Sequence, residues 1–273
     1  MLNEKNILIL GSKNGSKLPN IKVDMIYSAN GAAERAVMYK KLYPNVPHTA
    51  IIGGKYFLEC EEVKERVIKS KPNKLIVRFG SIKIPDEFNN YNCEIDQWSQ
   101  KKDFNIQSQF YKLGWLDIIF GEVMYYEDKF LRKLRHLYRC IKHRGFLGGS
   151  SGFFSIFLAA MENPKSTIIT SGIGLVEGGR YYQPDNTYGW MSEGNKEFEK
   201  KRGVILNEDS NSNVVTSGVG LNKFNNTSRF RVERFLAKRV KDLYKSNIVS
   251  LDKDFVDNAC GKLWQGETLD HFI

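Results

Sequence analysis

Residues 145–179 read GFLGGSSGFFSIFLAAMENPKSTIITSGIGLVEGG, and the order of elements in that stretch decides the fold. Gly148, Gly149, Ser150, Ser151 and Gly152 form a small-residue loop. Phe153, Phe154, Ile156, Phe157, Leu158, Ala159 and Ala160 follow as an apolar run dense enough for a buried helix. The Asn163-Pro164 step ends that helix, because the residue before a proline is driven out of the α region. Ser166 to Thr170, β-branched throughout apart from its first residue, reads as a short buried strand. Ser171-Gly172-Ile173-Gly174 leaves the strand as a second small-residue loop. Loop, helix, strand, loop is the unit that builds a parallel sheet with ligand loops at its carboxyl edge. Free N–H groups at a helix start attract anions, so phosphate or carboxylate binding is one reading. A close-packed turn with no ligand is the other.

The same alternation runs through the first part of the chain. Strands are predicted over 7–10 (ILIL), 24–27, 49–52 and 75–79, and helices over 32–42 and 56–70. Gly11-Ser12-Lys13-Asn14-Gly15-Ser16 follows the first strand at once, and Ser28-Ala29-Asn30-Gly31 follows the second as a loop. Strands alternating with helices, with glycine at strand ends, predict an α/β protein: a Rossmann-like parallel sheet with helices on both faces. The expected organisation is one main domain. Residues 1–80 form a first nucleotide-binding half, 81–144 a connection with a strand near 94–98, and 145–273 a second half. Within that second half, 180–226 is polar and reads as a mobile excursion or lid. A helix over 232–244, a strand over 247–251 and a closing turn or helix over 255–264 complete it. Thr216 to Leu221 echoes Thr170 to Leu175, but one echo does not make a repeat protein.

With 273 residues, a formal charge of +10 and a pI near 9.3, the chain can bury a large core and suits a polyanionic partner. Nucleic acid, an anionic membrane surface and a phosphorylated or acidic-sugar substrate all fit that charge. Residues 129–144 (KFLRKLRHLYRCIKHR) predict a helix with one apolar stripe and a face of Arg132, Lys133, Arg135, Arg139 and Lys142. That face is either plain solvated surface or a contact with an acidic or lipid-linked acceptor at a membrane. No apolar run reaches the length of a signal or membrane-spanning segment, and the four scattered cysteines lack metal-ligand spacing. A cytoplasmic location with reduced thiols is expected.

Asp252-Lys253-Asp254 spells the DxD of metal-dependent sugar transferases. It also stands between a strand and a helix, where Asp is a preferred N-cap. The capping reading is adopted, and no metal is expected. Neither a Ser/His/Asp order nor a GxSxG elbow is present. Two carboxylates stand out. Glu177 follows the second loop of the central unit and could be a nucleophile or base, or a surface charge beside Gly178-Gly179. Glu122, between apolar neighbours, could be a general acid or a paired structural one.

Taken together, ILILGSKNGSKLP and DMIYSANGA resemble the first nucleotide-binding motif of the sialyltransferases and of bacterial CMP-Kdo-using transferases. GGSSGFFSIFLAA and STIITSGIGL are similar to the second motif. The resemblance implies a donor site of Gly11, Ser12, Asn14, Asn30, Gly31, Ser150, Ser151, Gly152, Gly172 and Gly174. It implies that Asn30 faces the nucleotide and that Ser150, Ser151 and Gly152 grip the donor's phosphate or carboxylate. Where sialyltransferases place a histidine base, this chain has Gly178-Gly179-Arg180, and where the Kdo enzymes place Arg-x-His it has Arg229-Phe230-Arg231. The lost histidines shift the expectation to a retaining mechanism with Glu177 as nucleophile and Arg180, Arg229 and Arg231 balancing donor charge. The implied activity is a metal-independent transfer of Kdo, or a related nonulosonic acid, from its CMP donor to a glycan or lipid-linked acceptor. The 129–144 helix would make peripheral contact with the inner membrane face, and no nucleic acid would be bound. The alternatives are an inverting sialyltransferase-like enzyme and a noncatalytic nucleotide- or polyanion-binding protein.

Overall fold

A computed structural model of the chain describes residues 4–13, 15–54, 57, 60–78, 82–99, 102, 103, 105, 106, 109, 151–173 and 239–269, with the backbone of 204–205 and 216–217. The strands are β1 (Asn6–Leu10), β2 (Leu18–Pro19), β3 (Met25–Ala29), β4 (His48–Gly53), β5 (Lys74–Arg78), β6 (Glu94–Gln97), β7 (Thr167–Ser171), β8 (Val204–Ile205), β9 (Thr216–Ser217), β10 (Asn247–Ser250), β11 (Lys262–Leu263) and β12 (Thr268–Leu269). Among the described residues, the helices with both ends in place are α1 (Glu34–Leu42), led in by a 3-10 turn over Asn30–Ala33, then α2 (Glu61–Ser70), α3 (Ser151–Glu162) and α4 (Lys253–Asn258). Residues 239–244, the end of the helix expected over 232–244, are helical too.

Eight strands form one sheet in the order β11-β10-β7-β1-β3-β4-β5-β6. Every pairing within it is parallel. A parallel strand buried on both faces needs apolar side chains at successive positions, not alternate ones. Ile7, Leu8, Ile9 and Leu10 are accordingly all fully buried. Ile7 and Ile9 pack with Ile168, Ile248 and α3 on one face. Leu8 and Leu10 pack with Ala36 and Tyr39 of α1 on the other. Farther along that second face, Val63 and Val67 of α2 cover Ala50, Ile52, Leu75 and Val77. The chain is thus a Rossmann-like α/β fold with helices on both faces of the sheet.

Helix α3 is buried along Phe153 to Ala160 without a polar stripe, the mark of a helix covered all round. Phe153 stacks on Phe255 with centroids 5.4 Å apart, and Phe154 meets Trp98 edge-on at 5.8 Å. The Arg78 guanidinium lies 3.6 Å over the Phe154 ring while pairing with buried Asp103 at 2.6 Å. A short antiparallel ribbon of β2 and β12 brings residues 268–269 back beside the loop that follows β1.

Several expected boundaries need correction. Ser28 and Ala29 belong to β3 and not to a loop. The helix expected over 56–70 is interrupted: Phe57 is helical, Cys60 is not, and α2 begins at Glu61 with Glu61 and Glu62 in its first turn, where carboxylates suit the positive end of the helix dipole. The closing segment is not one turn or helix. It is α4 followed by a parallel edge strand, β11. The 129–144 helix and most of 180–226 lie outside the described residues.

Candidate functional site at the switch point

From β1 the sheet grows outward in two directions, through β3, β4, β5 and β6 on one side and β7, β10 and β11 on the other. The loops after β1 and β7 therefore leave adjacent strands at the carboxyl edge where the strand order reverses, which is where open α/β sheets bind ligands. The Gly11 N–H donates to Ser171 O at 2.8 Å and the Lys13 N–H to Gly172 O at 2.9 Å, so the two loops zip together beyond the sheet. That approach leaves no room for side chains. A Cβ on Gly11 would lie 2.1 Å from Gly172 O, and one on Gly172 would lie 2.2 Å from Arg35 Nη1. Gly172 also has φ +80, a conformation that glycine adopts without strain.

Arg35 and Asp252 fill this junction. Arg35, on α1, is 4% exposed. Its Nη1 donates to Gly11 O at 2.9 Å and Ser171 O at 3.2 Å. Its Nη2 donates to Ser16 O at 2.8 Å, Lys17 O at 3.4 Å and Ser171 Oγ at 2.8 Å. Only a planar fork with several donors can serve so many acceptors at once. Asp252, after β10, is 5% exposed. Its Oδ2 accepts from the Gly172 N–H at 2.6 Å and the Ile173 N–H at 3.3 Å, and its Oδ1 accepts from Ser16 Oγ. Successive N–H groups beside a left-handed residue form a concavity that holds an anion, and here the anion is a side chain of the protein. Two residues on, Asp254 pairs with Lys13 at 2.5 Å.

The local reading of Asp252 as a helix cap is thus corrected in part. Its backbone carbonyl accepts from Phe255 N and Val256 N at the start of α4, but its carboxylate makes no capping bond. The two amides of the β7 loop recruit it instead. Among the described residues, no group of three or more His, Cys, Asp or Glu side chains is placed to hold a metal ion.

The other expected donor contacts are distributed around this junction. Ser12 is half-buried in the β1 loop, and Ser151 and Gly152 open α3. A Cβ on Gly152 would stand 3.4 Å from the Ile173 side chain, so the α3 start abuts the β7 loop. Asn30 sits after β3 with φ 51, and its side-chain oxygen accepts from the Gly53 N–H at 3.3 Å. That bond links the ends of β3 and β4, a structural use of the residue. Gly31 is buried in the 3-10 turn behind it. Asn14, Glu122, Ser150, Gly174, Glu177, Arg180, Arg229 and Arg231 lie outside the described residues.

Sequence reasoning missed Arg35, Ser16 and the tertiary role of Asp252. The available signal for Arg35 was its position four residues before Tyr39, which puts both on the buried side of α1. A second polar pair lies deeper. His48 Nε2 and Ser28 Oγ are 2.8 Å apart, and both residues are fully buried. Burial, with the positive charge of Lys40 adding to it, pushes the His48 pKa down to about 3. That imidazole stays neutral inside the sheet, away from the carboxyl-edge loops. Burial also raises the Cys260 thiol to about 12.

No family model, curated protein or solved structure matches the chain. No helix among the described residues is long and apolar enough to cross a membrane.

Proposed function

We propose that the protein is a glycosyltransferase of the cytoplasmic compartment that takes an acidic sugar, Kdo or a related nonulosonic acid, from its CMP-activated form. The acceptor is a surface glycan or its lipid-linked precursor. One observation carries this reading. The two stretches on which the resemblance rests, after β1 and around α3–β7, meet at the switch point of a parallel sheet, with the Gly152 backbone beside the Ile173 side chain. A fold alone does not give a function, so weight rests on that juxtaposition. In this reading the phosphate lies over the start of α3 and the β7 loop. Glu177 acts as the nucleophile, with Glu122 the further candidate acid, and no metal takes part.

Thermal unfolding with CMP, UDP and EDTA tests the donor. CMP at a hundredfold excess over Kd should stabilise the fold by about 2.7 kcal/mol, unchanged by EDTA. A shift with UDP and none with CMP removes the assignment. CMP-Kdo given without acceptor should leave one sugar on the peptide holding Glu177, and the transferred product should retain the donor's anomeric configuration. The occupation of the Gly172 and Ile173 amides by Asp252 favours a second reading, a noncatalytic anion- or nucleotide-binding protein. CMP binding with no transfer to any acceptor would select it.

A further inference from the structure

We infer that Asp252 is a built-in occupant of an oxyanion site, holding the Gly172–Ile173 amide pair until the phosphate group of a ligand displaces it. This inference rests on the reading of the switch point as the donor site and adds a gate to it.

The amide pair has the shape of an anion site independently of any ligand. Gly172 and Ile173 are consecutive, Gly172 is left-handed, and both N–H groups converge on one carboxylate oxygen. The occupant comes from a different strand, so a movement of the segment after β10 vacates the site while the amides stay fixed by the β1–β7 zipper. Besides the Ser16 hydroxyl on Asp252 and the Phe255 ring stacked on Phe153, that segment is tied at one more accessible point. The Lys13 and Asp254 side chains are 22% and 21% exposed where they pair, so solvent and ligand reach this end of the strap.

Charge gives the exchange its direction. With the strap in place, the cations Arg35 and Lys13 are matched by the carboxylates Asp252 and Asp254. When the strap leaves, both carboxylates go with it. Lys13 loses its partner beside the vacated amides, and the Arg35 guanidinium remains packed against Gly172. The junction then changes from formally neutral to formally dicationic, suited to a ligand that carries both a phosphate and a carboxylate. A closed strap lowers apparent affinity by the fraction of molecules that are open. Removing it should therefore tighten anion binding, whereas loss of an ordinary structural clamp would weaken it or leave it unchanged.

Inorganic phosphate titrated into 15N-labelled protein, read at the Gly172 and Ile173 amides, tests the gate. Asp252→Ala should bind phosphate about tenfold or more tightly than wild type, with those two amides moving most, and Asp254→Asn about threefold more tightly. A folded Asp252→Ala protein with unchanged or weaker phosphate binding, or with its shifts elsewhere, overturns the inference. Should Asp252→Ala fail to fold, Asp254→Asn decides, and unchanged affinity there overturns it. CMP titrated in parallel separates the two claims. Tighter phosphate binding with no CMP binding keeps the gate and ends the CMP reading. CMP binding that is the same in wild type and both variants keeps the CMP reading and ends the gate.

Discussion

Two buried polar clusters in one sheet do different work. At the carboxyl edge, Arg35 and Asp252 grip backbone groups from the loops after β1 and β7. Between β3 and β4, Ser28 and His48 meet only each other's side chains across neighbouring strands. Both clusters are shut away from water. The first is charged, and its Arg35 gathers carbonyls of both loops at one point beyond the strand ladder. The second is neutral and joins strands that their ladder already holds. Burying charge is costly unless every donor and acceptor is served, so the fold accepts that cost where backbone geometry depends on it and avoids it where it does not.

The largest expected effect comes from removing Arg35. Arg35→Met leaves the carbonyls of Gly11, Ser16, Lys17 and Ser171 without that donor, and the expected loss is at least about 3 kcal/mol in urea unfolding. Arg35→Lys should recover only part of it, because an ammonium cannot reproduce the fork. A loss below about 1 kcal/mol for Arg35→Met would show that the loops hold themselves and that the charge is incidental.

That dependence also explains what the sequence could disclose. The strands were legible as ILIL, TAII, LIV and TIIT because two-sided burial writes continuous apolar runs into the chain. The Asn163-Pro164 stop was legible because proline acts locally. The break in the 56–70 helix was not legible because no glycine or proline stands at Cys60 to mark it, while the acidic pair Glu61-Glu62 marks where α2 begins. Strand β11 has two residues and an exposed pattern, too short for any period to appear. The site was half legible. Its glycines announce close approach, but the side chains that fill the approach come from α1 and the segment after β10. Asp252 satisfies a local rule for helix caps and a tertiary demand from two amides, and only the local rule is written in its neighbours.

The second cluster supplies a pH test of intermediate size. Folded His48 stays neutral down to a pKa of about 3, against an ordinary value of 6.5 in the unfolded chain. Between those values the unfolded state binds the extra proton, so stability is complete above 6.5 and declines as the pH falls through that window. The decline is at most about 1.4 kcal/mol per pH unit, or about 2 kcal/mol by pH 5. Comparing wild type with His48→Gln isolates it from the carboxylates, since the variant should lose this part of the slope. Arg35→Met should keep the slope. If both variants flatten it equally, the two clusters are coupled and the contrast between them fails.

The smallest expected effect concerns the Ser28 hydroxyl. His48 Nδ1 has no hydrogen-bond partner among the described residues, so the tautomer decides which ring atom bears the penalty. A proton on Nδ1 would leave a buried donor unmet. A proton on Nε2 lets the ring donate to Ser28 Oγ and leaves only a bare lone pair at Nδ1, the cheaper arrangement, since orphaned donors are rarer in folded proteins than under-satisfied acceptors. Ring-nitrogen chemical shifts should therefore report protonated Nε2. Ser28→Ala then removes that donor's acceptor, and the expected cost is about 1 kcal/mol, well below that of Arg35→Met. The neighbouring ladder of β3 on β4 should stay intact by amide exchange, because Ser28 contributes its backbone to that pairing whatever its side chain. A cost equal to that of Arg35→Met would mean that the neutral pair holds geometry as the charged one does, and the distinction between the clusters would have to be abandoned.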